Sequence, residues 1–554
     1  MTAGQLCRIG PMVAWLAACG SAPPTKAPLA ESDAADPLLQ ALGPPQLARR
    51  LSLDLRGVLP SVEELDRVEA DPTELDVLVD TWLEDPQFET RVVEMYGARW
   101  RTEIDEFLVF YWEFGLADEQ KYAFLRSVGQ EPLRIIGRVA AHDLPYTAIL
   151  TADWTMANPM LADLFPLERL DPEATGWSEA QYTDGRPAAG VLATNGLWWR
   201  YESPLFNYSR RRTAAILDLL VCDDLLERPV LFDSPDLADS EDAQNAVLTN
   251  DDCLTCHATI EPIAAALFGF EPVDSYSVSE LIKYHPAREP VGSETLGVDP
   301  AWAGQPVDGL SGLARAIAAD TRFVDCAVDT LASGMLHRPL GEADQAWMRG
   351  VRDRFVESGL LAKEAVRAIA ALPTYRAGSV TEAASEELAA RTTTRRLLTG
   401  AQYRRAVQER TGLSWTRDGA DELDNDFTGF RVLAGGVDGE AVTEPLEVPG
   451  ATYAAVTRRV AQAGARTWID GHRSGARTSA PFETCAPDAT PDDPCFRDLI
   501  ATLAWSLHAV RPSDARLDAW TDLWSAAHAA TGDPSESLAV VVSTMLRDPA
   551  FLTY

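Results

Sequence analysis

Apolar positions along this chain recur mostly at helical spacing, and the strict alternation of a half-buried strand is scarce. Between Pro45 and Leu65, Leu47, Leu51 and Leu55 fall one turn apart, and Ser61 stands where it caps the helix that follows. The same period predicts helices over Glu74–Leu83, Thr90–Phe110, Glu131–His142, Thr155–Phe165, Thr213–Leu226 and Phe323–Leu340. Asp-Pro and Leu-Pro dipeptides punctuate these runs. A Val/Gly/Glu mixture from Gly429 to Pro449 is expected to hold a small strand pair or a loop. Leu83-Glu-Asp-Pro-Gln-Phe88 has an echo in Leu546-Arg-Asp-Pro-Ala-Phe551, each closing an amphipathic helix, which points to a two-part origin.

A length of 554 residues exceeds what one core supports, so two or three packed units are expected. The boundaries predicted are 1–19 for a leader, 20–44 for a tether, 45–205, 206–376 and 396–554 for helical domains, and 377–395 for a linker. Hydrophobic residues at 46% and charged residues at 24% fit a soluble globular protein. The net charge of −36 argues against nucleic acid or anionic lipid as a direct partner, and favours a basic one.

The leader has one positive charge, Arg8, an apolar run from Ile9 to Ala18, and then Leu16-Ala17-Ala18-Cys19 followed by Gly20-Ser21. This resembles a bacterial lipoprotein signal, in which the cut precedes Cys19 and the Cys19 thiol carries the lipid. An ordinary secretory signal is the alternative, and both imply export to the periplasmic or cell-surface side of a bacterial membrane. No later segment approaches the roughly 20 unbroken apolar residues of a transmembrane helix. In an oxidising compartment Cys485 and Cys495, which bracket a loop rich in Pro and Asp, are placed to form a disulfide; Cys222 with Cys326 is a second candidate pair, with free buried thiols as the alternative.

The chemistry centres on Cys253-Leu254-Thr255-Cys256-His257, the spacing that attaches a c-type haem. Cys253 and Cys256 would form the two thioether bonds and His257 would be the proximal iron ligand. A disulfide or half of a zinc site is the competing reading, although no second closely spaced Cys/His pair accompanies it. Met335 is the first candidate for the sixth ligand, because it lies on one helical stripe with Val324, Val328 and Leu331; a gap-filling core methionine has the same pattern. His337 and His285 compete with it, and an open iron face is the remaining possibility. In the run Arg210-Arg211-Arg212, Arg211 is the candidate partner of a haem propionate, against a solvated patch or ion pairs with Asp223 and Asp224. No phosphate loop, nucleophile elbow or catalytic triad is visible.

Several stretches resemble the planctomycete-type cytochrome proteins built from serial domains of unknown function. Arg49-Arg-Leu-Ser-Leu-Asp-Leu-Arg-Gly-Val-Leu-Pro60 and Val79–Phe88 are similar to the opening of one such domain. Thr151–Asn158 and Gly190–Asn195 are similar to the segments before the family's haem motif, with Glu261-Pro262 and Phe270-Glu271 where the family has Asp-Pro and Phe-Asp. Phe323–Leu340 resembles the closing helix, but Gly334-Met-Leu-His-Arg338 replaces its usual Tyr-Ala-Leu-Gly-Arg. Arg395–Thr399 to Leu413, Asp424–Phe427 and Cys495–Tyr554 resemble domains that stand upstream of the haem in the family, so the order is permuted or fused here. The resemblance implies a mainly α, multi-domain helical protein with an embedded c-type haem-binding region, one covalent haem and a role in electron transfer. A haem enzyme with an open distal site and a surface scaffold are the alternatives.

If Cys19 is the mature N-terminus, mass spectrometry of the N-terminal peptide will find it acylated; an intact Met1, or a cut elsewhere without acyl groups, excludes the anchor.

Overall fold

The computed structural model describes residues 37–203, 207–228, 246–247, 249–273, 277–392, 395–417, 420–425, 429–477 and 479–554; the expected leader and Cys19 lie outside them. The described chain is mainly helical, with strands of five residues or fewer. Helix Pro44–Leu55 contributes to two cores, as does helix Phe496–His508, whose Trp505 enters the larger one. From the first of these helices, Leu47, Leu51 and Leu55 pack into the larger core, whereas Leu53 and the following Leu59 belong to the smaller one, built mainly from Leu398 to Tyr554. The larger core is drawn mainly from Leu47 to Tyr375, with Trp505 and Ala509 joining it from the C-terminal part, so residues on both sides of the expected 205/206 boundary contribute to one interior.

Because helix Pro44–Leu55 is buried around most of its circumference, its polar residues must find partners inside the protein. Arg49 donates to the carbonyls of Leu507 (2.6 Å) and Phe551 (2.7 Å), and Arg50 to those of Tyr375 (2.6 Å) and Ala377 (2.8 Å). Asp54, with no side-chain exposure, accepts from Arg396 (2.7 Å), the Tyr375 hydroxyl (2.7 Å) and the Tyr554 hydroxyl (2.6 Å). Burial pushes the Asp54 carboxyl up, but Arg396, His337 and Tyr554 outweigh it and hold the pKa at about 2.

The expected tether and linker are partly ordered together. Leu39–Ala41 pairs antiparallel with Ala377–Val380, and beyond it Arg396 exchanges backbone hydrogen bonds with Tyr554. Ser61 does cap Val62–Ala70, in a reciprocal box with Glu64. Glu74–Leu83 is a helix over the expected span. The next helix runs Pro86–Trp100 and stops ten residues short of Phe110, where Arg101 turns left-handed at φ 52°. Ile104, Phe107 and Val109 then pack around Phe124 and Trp199 in a satellite cluster, a tertiary demand the helical period cannot express.

Helix Lys121–Ala141 starts before the expected Glu131 and contains Pro132. Proline has no N–H for the Val128 carbonyl, and the backbone of Gly196 closes on that oxygen; a Cβ there would lie 2.0 Å from it. The segment expected to be helical over Thr155–Phe165 splits into strand Thr155–Ala157 and helix Pro159–Leu164, because Pro159 keeps Asn158 extended while its side chain caps Leu161 (3.0 Å). That strand joins a three-stranded antiparallel sheet with Ser178–Tyr182 central and Leu167–Arg169 beyond. Of the strand pair or loop expected within Gly429–Pro449, the loop is what forms; a two-residue strand pair lies earlier, between Thr416–Arg417 and Ala420–Asp421. The sequence echo is a structural one: Asp85 and Asp548 cap helices that open with Pro86 and Pro549, and Phe88 and Phe551 are both fully buried.

Substituting Asp54→Asn leaves Arg396 buried without its counter-charge and is expected to cost about 3–5 kcal/mol, measured by urea unfolding at neutral pH. Since the folded carboxyl titrates near 2, its contribution is present above the unfolded value of about 4 and is lost as pH falls through about 2. Wild-type stability should therefore drop more steeply than that of the variant over that window.

Candidate haem-attachment site

Helix Asp251–Ala265 carries the motif. At helical spacing Cys253, Cys256, His257 and Glu261 share one face, since offsets of three, four and eight residues return to the same side. Cys253 and Cys256 are half-buried free thiols, so the disulfide between them is not formed, and among the described residues no group of three metal-ligating side chains supports a zinc site. The N-terminal half of the helix is the accessible half. Its other end is anchored, with Ile263, Ala264 and Ala265 buried. There the helix Glu289–Leu296 approaches so closely that a Cβ on Gly292 would stand 2.2 Å from the Ala265 carbonyl oxygen.

His257 is oriented by a carboxylate. Its Nδ1 lies 2.5 Å from Glu261 Oε1, and the same oxygen accepts from Arg210 Nε at 2.7 Å, while Arg210 Nη2 reaches Oε2 at 3.3 Å. Arg210 opens helix Arg210–Val221, which packs against the motif helix. The Glu261 side chain is 2% exposed, against 22% for His257. Burial pushes the Glu261 carboxyl up, but the hydrogen bonds from His257 and Arg210 outweigh it and hold it below the usual carboxylate range. At neutral pH it is a carboxylate, so Nδ1 carries the proton it accepts, and Nε2 has no hydrogen-bond partner among the described residues. Two unpaired thiols and an imidazole whose Nε2 has no partner among the described residues, on one helical face, are a donor set that fits haem c.

The other candidates lie as follows. Arg211 is exposed and makes no ion pair with a described residue; Arg210 and Arg212 pair with Glu261 and Glu271 instead of Asp223 and Asp224, and Asp223 pairs with Arg228. Met335 is fully buried in the larger core, on helix Thr321–Leu336, which packs on Pro86–Trp100 and Arg210–Val221. Its neighbour Gly334 lies against Met95, and it is not on the half-exposed face that carries the thiols. His337 ends that helix at φ 53°, with Nε2 2.8 Å from the Tyr554 hydroxyl and 3.6 Å from Asp54. His285 Nε2 faces the Glu280 carbonyl at 3.1 Å. Cys485 is bonded to Cys495, and Cys222 to Cys326, the latter tying the end of Arg210–Val221 to Thr321–Leu336.

Glu261 and Arg210 are the residues that motif reading passes over. The offset of four from His257 to Glu261 was a usable signal for the first, because it puts the two side chains on adjacent turns. For the second the signal was the basic run Arg210-Arg211-Arg212, but its pairing with Glu261 was not readable, since Arg210 lies on another helix. No family model matches the chain, and no match is found among curated proteins or solved structures.

Gly292→Ala is expected to cost about 1–3 kcal/mol, as overpacking does in a filled interior. Thermal unfolding checks it, and an unchanged midpoint would mean that the two helices separate without cost.

Proposed function

We propose that this chain is an exported c-type cytochrome-like lipoprotein that holds one covalent haem and carries electrons. The observation that supports the attachment is the pairing of two free, half-buried thiols with a carboxylate-oriented imidazole on one helix face. Cys253 and Cys256 would hold the haem, His257 Nε2 would bind its iron, and Arg211, exposed one position from the ion-paired Arg210, would meet a propionate. Bound there, the haem supplies a one-electron ferric/ferrous couple. The protein's own contribution is to fix the proximal imidazole, keep the thiols accessible for attachment and present a strongly acidic surface, which suits a basic redox partner. Cys19 would tether the chain to the membrane. The resemblance to the planctomycete-type cytochromes supports the same reading.

Met335 remains the proposed sixth ligand. Its burial in the larger core beside Gly334 and Met95 is the observation that favours the second reading, a haem enzyme whose distal face is open.

Protein expressed with a haem-c maturation system is expected to keep haem through acid-acetone extraction, and Cys253→Ala/Cys256→Ala to lose it; equal loss from both excludes covalent attachment. With Met335 bound, the wild type is low-spin, and Met335→Ala converts it to high-spin and lowers the potential, while His337→Ala and His285→Ala change neither. A high-spin wild type that binds carbon monoxide or turns over peroxide selects the enzyme reading.

A further inference from the structure

Outside the motif the chain offers few sites. A cavity of about 260 Å³ between Gln462, Arg466, Glu536 and Arg547 is open and carries no convergent chemistry. The aromatic loop around Trp112 is exposed, with nothing to say what covers it. The Asp54–Arg396–Tyr554 cluster is closed to solvent and its charges are paired with one another. The contacts behind His257 carry more.

We infer that Glu261 and Arg210 form an opposed pair that sets the electron-donating strength of His257, with Glu261 lowering the potential of an iron bound at Nε2 and Arg210 limiting that effect. The inference rests on the haem reading proposed above. A histidine that ligates a metal while giving its other ring proton to a carboxylate is a stronger donor than one that gives it to a neutral acceptor. Glu261 Oε1 sits 2.5 Å from Nδ1, and its side chain is almost closed to water, so its charge is little screened. A negative charge there favours the more positive oxidation state of the iron and hence a low potential.

Arg210 acts in the other direction. Its Nε binds the very oxygen that faces His257, 2.7 Å away, and its Nη2 takes the second oxygen at 3.3 Å. The guanidinium thereby neutralises part of the charge and withdraws electron density from Oε1. It also fixes the carboxylate plane, because a two-point contact leaves little freedom to turn. Arg210 is itself held by its helix, whose far end is tied by the Cys222–Cys326 disulfide. Glu261 and Arg210 are thus positioning residues that touch no iron.

The charges make opposite predictions for the midpoint potential of the holoprotein, measured by spectroelectrochemical titration. Glu261→Gln preserves size and removes the negative charge, and is expected to raise the potential. Arg210→Gln removes the opposing charge and is expected to lower it, while Arg210→Lys and Glu261→Asp stay near the wild type. A purely structural role would move both neutral variants in the same direction, and that result overturns the inference, as does an unchanged potential in Glu261→Gln with haem attached. A wild type without covalent haem overturns the functional reading as well, so the two failures are told apart by the extraction assay.

Discussion

A carboxylate with no exposure to water is the constraint on which the rest of this structure depends. Asp54 lies on a helix buried on nearly all sides, and an isolated charge there would cost several kcal/mol. Its partners come from remote parts of the chain: Tyr375 and Arg396 from either side of the segment joining the two cores, Tyr554 from beside Phe551. Satisfying Asp54 therefore fixes how the smaller core sits on the larger one. Arg49 and Arg50 extend the same logic by donating to backbone carbonyls on both sides of the helix. The hydrophobic stripe makes the helix stick, and the polar residues decide where.

The motif helix is built on the opposite plan. Its C-terminal end is packed without spare volume against Gly292, whereas the turn bearing the thiols is half-exposed. Rigid support under an accessible face is what a functional site needs, since the ligand must be held in one orientation before the cofactor arrives. The chain of support runs from His257 to Glu261, to Arg210, along Arg210–Val221 and through a disulfide to Thr321–Leu336. A disturbance of that disulfide would reach His257 through two ion-paired side chains, Arg210 and Glu261.

From the sequence alone came the mainly helical class, the cap at Ser61, the span Glu74–Leu83 and the donor set of the candidate site, because each is written in spacing of a few residues. The Asp-Pro echo was legible for the same reason: an aspartate cap, a proline in the first turn and a phenylalanine on the inner face are local features. Only the tertiary structure decided the rest. Pro132 stays inside a helix because Gly196 packs against the carbonyl it leaves free, and Thr155–Ala157 is a strand because a sheet partner is present. The single large core across 205/206, the pairing of Leu39–Ala41 with Ala377–Val380, the fate of Met335 and the choice of Arg210 over Arg211 as the partner of Glu261 all depend on contacts between distant segments. Periodicity reports which face of an element is buried; it carries no information about which other element will bury it, and that choice is made by packing and by the need to pair every charge taken out of water.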